Sequence, residues 1–99
     1  TFATPEIRVD CAEEEKFDLV ERAAVHFASR YPVNTIDGVR ITFPHGWGLL
    51  RASNTQPVLV MRFEATDPDL RDQYRGEVEG WLAEQKRASE AEKSVSGKR

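Results

Sequence analysis

Thiol and imidazole chemistry is scarce in this chain, whose 99 residues hold one cysteine, Cys11, and two histidines, His26 and His45. A single thiol cannot close an intramolecular disulfide, and a chain without paired thiols fits a reducing compartment, so the cytoplasm is the expected location. The three groups are too dispersed for a zinc motif. No apolar run approaches the ~20 residues needed to cross a bilayer, and Thr1-Phe2-Ala3-Thr4-Pro5 lacks the charged and apolar regions of a secretory signal. No membrane partner is expected. An excess of positive charge is also missing: 14 Lys and Arg stand against 17 Asp and Glu, a net charge of -3, which disfavours nucleic acid. A few well-placed donors could still bind a small anion, since phosphate recognition depends little on net charge. The length leaves room for one compact unit and no second core. The first residue is Thr and not Met, as in a piece cut from a longer protein.

What is present suffices for one core. Hydrophobic residues make up 39% of the chain, with five Phe, two Tyr and two Trp, and a domain of this size buries roughly two-thirds of the surface its unfolded chain exposes. Glu6-Ile7-Arg8-Val9-Asp10 alternates with a period of two, which predicts a short strand with Ile7 and Val9 on its buried face. Asp10 and Glu13 read as the start of a helix, with Glu13-Glu14-Glu15 complementing its positive end. The helix then runs towards Tyr31, with Phe17, Val20, Ala24, Phe27, Ala28 and Tyr31 on one stripe and Lys16, Glu21 and Arg22 facing water. Pro32 stops it.

Period two returns after Val33. Asp37-Gly38 marks a turn inside a hairpin from about Val33 to Phe43, and strands follow at about Trp47 to Ala52 and Val58 to Ala65. Asp67-Pro68 opens a second helix, the Asp capping free amides and the Pro filling the first helical position. Its stripe is Leu70, Tyr74, Val78, Trp81 and Leu82. Gly76 and Gly80 imply either close packing or a locally weak helix. From Ser89 to Arg99 there is little to bury, so a frayed or disordered tail is expected. The pattern gives an α+β domain in β-α-β-β-β-β-α order: one antiparallel-rich sheet of four to five strands with two helices on the face of Ile7, Val9, Ile41 and Phe43. Arg8, Arg40 and Arg62 fall on the other face, balanced by Glu6 and Glu64 and suited to solvent or a neighbouring domain.

Donors concentrate where one strand turns into the next. Arg51 offers a planar fork of N–H groups, Ser53 and Thr55 offer hydroxyls, Asn54 offers an amide, and a tight connection can aim backbone amides inward as an anion nest. Extended chain would project Arg51, Ser53 and Thr55 to one side; Asn54 tolerates the left-handed region, and Pro57 fixes φ at the next strand. The same Ser-Asn-Thr-Gln-Pro run also reads as an ordinary polar hairpin loop.

Asp37-Gly38-Val39-Arg40, together with Gly46-Trp47-Gly48-Leu49-Leu50-Arg51-Ala52-Ser53-Asn54-Thr55-Gln56-Pro57-Val58-Leu59-Val60-Met61-Arg62-Phe63-Glu64-Ala65, resembles the C-terminal domain of the α-D-phosphohexomutases, the phosphomannomutase/phosphoglucomutase family. The resemblance implies a fold similar to the TATA-binding-protein-like α+β class over residues 1–88, with 89–99 as the tail. It implies that Arg51, Ser53, Asn54 and Thr55 bind the phosphate of a hexose phosphate, glucose or mannose, while the domain closes a cleft shared with upstream domains. Gln56 stands where relatives often have Glu, which bears on sugar preference. Such enzymes are isomerases that interconvert hexose 1-phosphate and 6-phosphate through a bisphosphorylated intermediate, using a phosphoserine and a Mg²⁺ ion held in earlier domains. This chain has no Asp-x-Asp-x-Asp cluster and no Ser beside a His, so no catalytic residue is assigned and the fragment alone is expected to be inactive.

Four other residues carry weaker alternatives. His45 could move protons near the loop, although no carboxylate orients it. Trp47 could face a sugar ring or pack in the core. His26 reads as a partly buried helix residue. Cys11, at the expected helix start, lacks a His partner to make it reactive. A second reading of the whole chain is a self-standing, non-catalytic module that binds an anion or a protein through the outer sheet face.

Overall fold

The computed structural model describes residues 1–97, with side chains through residue 92. The elements are β1 (Phe2–Ala3), β2 (Ile7–Asp10), α1 (Lys16–Ala28), β3 (Val33–Asn34), β4 (Val39–Phe43), β5 (Gly46–Ala52), β6 (Val58–Ala65) and α2 (Pro68–Gly97). One antiparallel sheet takes the order β1-β6-β5-β4-β3, and β2 also pairs with β6. The α+β class and the element order agree with the alternation in the sequence. The sheet gains a sixth strand, β1, whose two residues are too few to display a period. Among the described residues no helix is long and apolar enough to cross a membrane.

Register decides the faces. Val39, Leu50, Met61 and Ile7 lie opposite one another across four strands, and Ile41, Gly48 and Phe63 form the next row. These rows face the helices, where Leu19, Ala23 and Phe27 of α1 and Tyr74, Val78 and Leu82 of α2 complete the core. Phe43 stacks on Tyr74 with centroids 4.2 Å apart and meets the edge of Tyr31 at 4.7 Å. Burying an aliphatic or aromatic side chain in such a core is worth about 1.5–3 kcal/mol. The reverse face carries Arg40, Leu49 and Arg62 in one row and Arg51, Val60 and Arg8 in another.

The second helix starts as its sequence predicts: the Asp67 carboxylate accepts the backbone N–H groups of Asp69 at 2.7 Å and Leu70 at 3.3 Å. The first does not. Asp10 stays in β2, paired with Val58, and the next N–H, that of Cys11, donates to the Pro57 carbonyl at 2.9 Å. Helix α1 therefore begins only at Lys16, after a Glu15 that makes no side-chain cap. Its buried stripe is Lys16, Leu19, Ala23 and Phe27, while Phe17 is 55% exposed and Ala28 faces solvent. Of the expected stripe, Phe27 is fully buried and Val20, Ala24 and Tyr31 pack half-buried against the core, so only Phe17 and Ala28 fall outside it. Helix α2 also runs past Ser89 to Gly97, where a tail was expected. Its Glu, Ala, Lys and Ser residues favour or tolerate helix, and the Ser89 hydroxyl donates to Glu15. Residues 98 and 99 of that expected tail lie outside the described residues.

Candidate functional site

A cleft of about 750 Å³ opens at the end of the sheet where β5 passes into β6. Arg51, Ser53, Asn54 and Thr55 all line it. Facing them are Thr35, Asp37 and Gly38 from the turn before β4, and Phe17, Val20 and Glu21 from the first turns of α1. The four residues that the sequence groups are thus brought to one cavity, with walls the sequence leaves unassigned.

Alternation does not bring them together. Strand β5 ends at Ala52 and the chain bends from Asn54 to Pro57, so Ser53 and Thr55 are not held by an extended backbone. Ser53 organises the bend instead: its hydroxyl accepts the backbone N–H groups of Thr55 at 3.3 Å and Gln56 at 3.2 Å, and its own N–H donates to Val58 at 3.0 Å. Two amides therefore converge on one oxygen, and the Ser53 O–H proton is left to donate onward. Among the described residues none other than glycine has positive φ, so Asn54 does not use the left-handed region.

Arg51 stands on β5, its backbone paired with Val60, while its guanidinium is exposed and forms no hydrogen bond or ion pair with another described residue. Its backbone is held close. Gly38, at φ 77°, lies so near that an added Cβ would sit 2.5 Å from the Leu50 carbonyl and 2.6 Å from the Arg51 Cβ. The Asp37-Gly38 turn is thus a buttress for Arg51 as well as a reversal of the chain.

The loop is also anchored from behind. Lys16, fully buried, donates to the Gln56 carbonyl at 3.0 Å and pairs with the Glu13 carboxylate at 2.9 Å. The sequence places Lys16 in water, because a lysine is rarely enclosed unless it is paired. The signal that finds it is its spacing, three and seven residues before Leu19 and Ala23 on the buried stripe. The Gln56 side chain accepts a hydrogen bond from Arg8, which also pairs with Glu6 at 3.5 Å. Gln56 itself does not line the cleft.

The acidic residues absent from the loop are supplied by other walls as Glu6, Glu21 and Asp37. The cavity thus offers donors on one side and carboxylate acceptors elsewhere, which suits a ligand with both a phosphoryl group and hydroxyls. Among the described residues no three His, Cys, Asp or Glu side chains gather as metal ligands.

The remaining candidates fall elsewhere. His45 is in the β4–β5 turn, separated from the loop by the length of β5, and its backbone N–H donates to the Tyr74 hydroxyl at 3.1 Å. Trp47 lies near that same far end on the outer face, neither in the core nor in the cleft, with the Arg40 guanidinium 4.4 Å from its ring centroid. His26 is half-buried and stacks on Trp81 with centroids 5.4 Å apart. Cys11 is buried just after β2, and burial, assisted by Glu15, pushes its thiol above the ordinary range.

Residues 6–80 match the family model described as "Phosphoglucomutase/phosphomannomutase, C-terminal domain". The chain is 48% identical over 67 residues to a phosphomannomutase/phosphoglucomutase of Pseudomonas aeruginosa, covering 65% of this chain and 14% of that protein. It is 38% identical over 86 residues to a phosphoglucomutase of Neisseria meningitidis serogroup B, covering 80% of this chain and 19% of the relative. A crystal structure of a phosphoglucomutase/phosphomannomutase family protein from Burkholderia thailandensis superposes with a TM-score of 0.66 at 31% identity, over 86% of this chain and 18% of the other. The chain thus spans less than a fifth of the length of these relatives.

Proposed function

The chain belongs to the phosphoglucomutase/phosphomannomutase family, as its C-terminal domain, and from that premise we propose that its β5–β6 loop binds the phosphate of a hexose phosphate. The observation that carries this is the shared cleft of Arg51, Ser53, Asn54 and Thr55, with the Arg51 guanidinium exposed and unengaged by any described side chain. Arg51 supplies a charged two-pronged donor for phosphoryl oxygens. Ser53, already accepting two amides, gives its own proton outward, and Thr55 and Asn54 add neutral donors. Glu21 and Asp37, on other walls, are acceptors for sugar hydroxyls.

In this reading the domain belongs to a longer cytoplasmic phosphomutase, residues 1–88 forming the domain proper, and it contributes binding rather than bond breaking. It grips the phosphate that does not react, and that remote binding energy orients the reacting end of glucose or mannose phosphate. Closure of this cleft against upstream domains excludes water from phosphoryl transfer. A Mg²⁺ ion of the parent enzyme is, in this reading, held by its upstream domains. The fragment alone is inactive in this account.

An NMR titration of the 99-residue chain with glucose 6-phosphate tests the site. Binding should be weak, about millimolar, because the other walls of the parent cleft are absent. Shifts are expected at Arg51, Ser53 and Thr55 and should vanish in Arg51→Ala. Shifts confined to the helices would remove the assignment.

A further inference from the structure

We propose that Lys16 is a positioning residue for the phosphate loop, acting through the Gln56 carbonyl; the inference rests on reading that loop as the phosphate site. Removing an ammonium group from water costs several kcal/mol unless partners replace the lost hydration. Lys16 is fully enclosed. Its partners are the Glu13 carboxylate, itself well exposed, and the Gln56 carbonyl 3.0 Å away. The Phe17 ring centroid lies 5.2 Å from the ammonium, but of its hydrogen-bonding partners one is part of the loop backbone, 40 residues away in sequence.

That carbonyl occupies a decisive position. It belongs to the Gln56–Pro57 peptide, which has no N–H because Pro57 follows, so only its oxygen can fix the plane of the peptide. It accepts both the Val58 N–H at 2.8 Å and the Lys16 ammonium. One peptide earlier, the Gln56 N–H meets the Ser53 hydroxyl at 3.2 Å. Lys16 holds the rear of a residue whose front edge helps orient Ser53 towards the cleft. The neighbouring bond from Cys11 N–H to the Pro57 carbonyl ties the loop to the end of β2 but leaves the Gln56 carbonyl to Lys16 and Val58. Lys16 does not line the cleft, so it acts on a ligand through its neighbours, and its hydrogen bond to the Gln56 carbonyl makes the loop the route.

The test compares the wild-type chain, Lys16→Met, Lys16→Arg and Arg51→Ala by NMR titration with glucose 6-phosphate, alongside thermal melting. For a folded Lys16→Met, affinity should fall about tenfold, as for loss of a charged hydrogen bond. The Thr55 and Gln56 amides should exchange faster while amides in the middle of β6 keep their protection, and Lys16→Arg should recover part of the affinity. A merely structural lysine would lower the melting temperature and leave affinity unchanged, so binding within twofold of wild type overturns the inference. Should Lys16→Met not fold, the wild-type ammonium resonance of Lys16 decides: it must shift during the titration with the same midpoint as the loop amides, and a stationary signal overturns the inference. Arg51→Ala separates the two claims. If it leaves binding intact, the loop reading itself fails; if it abolishes binding while Lys16→Met does not, only the role of Lys16 fails.

Discussion

Arg51 and Gly38 work as a pair whose members were legible for different reasons. Gly38 was visible as part of an Asp-Gly turn, and the donor-rich run from Arg51 to Thr55 was visible as a cluster; their direct contact was not, because it depends on the β4–β5 register. Replacing Gly38 with Ala should destabilise the chain by about 2 kcal/mol or more, since the left-handed backbone and the carbonyl of Leu50 both oppose a Cβ. A chemical denaturation series measures it, and a loss below about 0.5 kcal/mol would mean that the turn relaxes freely. Lys16 was legible only in retrospect. Its charge argued for solvent and its spacing for the core, and the partner that resolves the conflict, Gln56, is remote in sequence. Cys11 yields a simpler expectation. Buried, with its thiol pushed up by burial and by Glu15, it should react slowly with a thiol reagent near neutral pH in the folded chain and rapidly after denaturation. Equal rates would show that the site opens readily.

Among the elements, the strands were the most readable: β4 alternates buried and open residues, which imposes a period of two, and although Val58 to Met61 of β6 are all buried, β4, β5 and β6 agree with their patterns within a residue. The start of α1 was misplaced because Asp10, a good cap by type, is already committed to the ladder with β6. In α2, the two interior glycines left packing and weakness as alternatives. Apart from the helix's own adjoining backbone, no atom of the described residues lies within 4 Å of a Cβ built at Gly76 or Gly80, which removes packing within this domain as the explanation. Each change to Ala should therefore stabilise the chain by about 0.5–1 kcal/mol, raising the melting temperature by several degrees. A calorimetric scan of the single and double variants checks both the sign and the additivity; a fall in melting temperature would mean that these positions meet a partner.

At the scale of the molecule, the two helices are joined across the sheet face by Tyr31, whose hydroxyl donates to Glu77 at 3.0 Å, with Arg30 3.8 Å from the same carboxylate. Burial, then the hydrogen bond and negative charge of Glu77, raise the Tyr31 phenol above its ordinary range. The folded chain therefore keeps this proton to higher pH than the unfolded chain does. Stability is intact below the ordinary tyrosine range and falls as pH rises through and above it. Melting curves from about pH 9 to about pH 11 should show this fall, and Tyr31→Phe should flatten it; an unchanged slope would assign the loss to other groups.

The phosphate site lies at the end of the sheet opposite the Tyr31–Glu77 contact, and a crystal structure of the parent protein that carries this domain, with glucose 6-phosphate bound, tests it most directly. Phosphoryl oxygens are expected within hydrogen-bonding distance of the Arg51 guanidinium and the Ser53 and Thr55 hydroxyls. A bound ligand whose phosphate is held by other residues, with the 53–55 loop turned to bulk water, would contradict it.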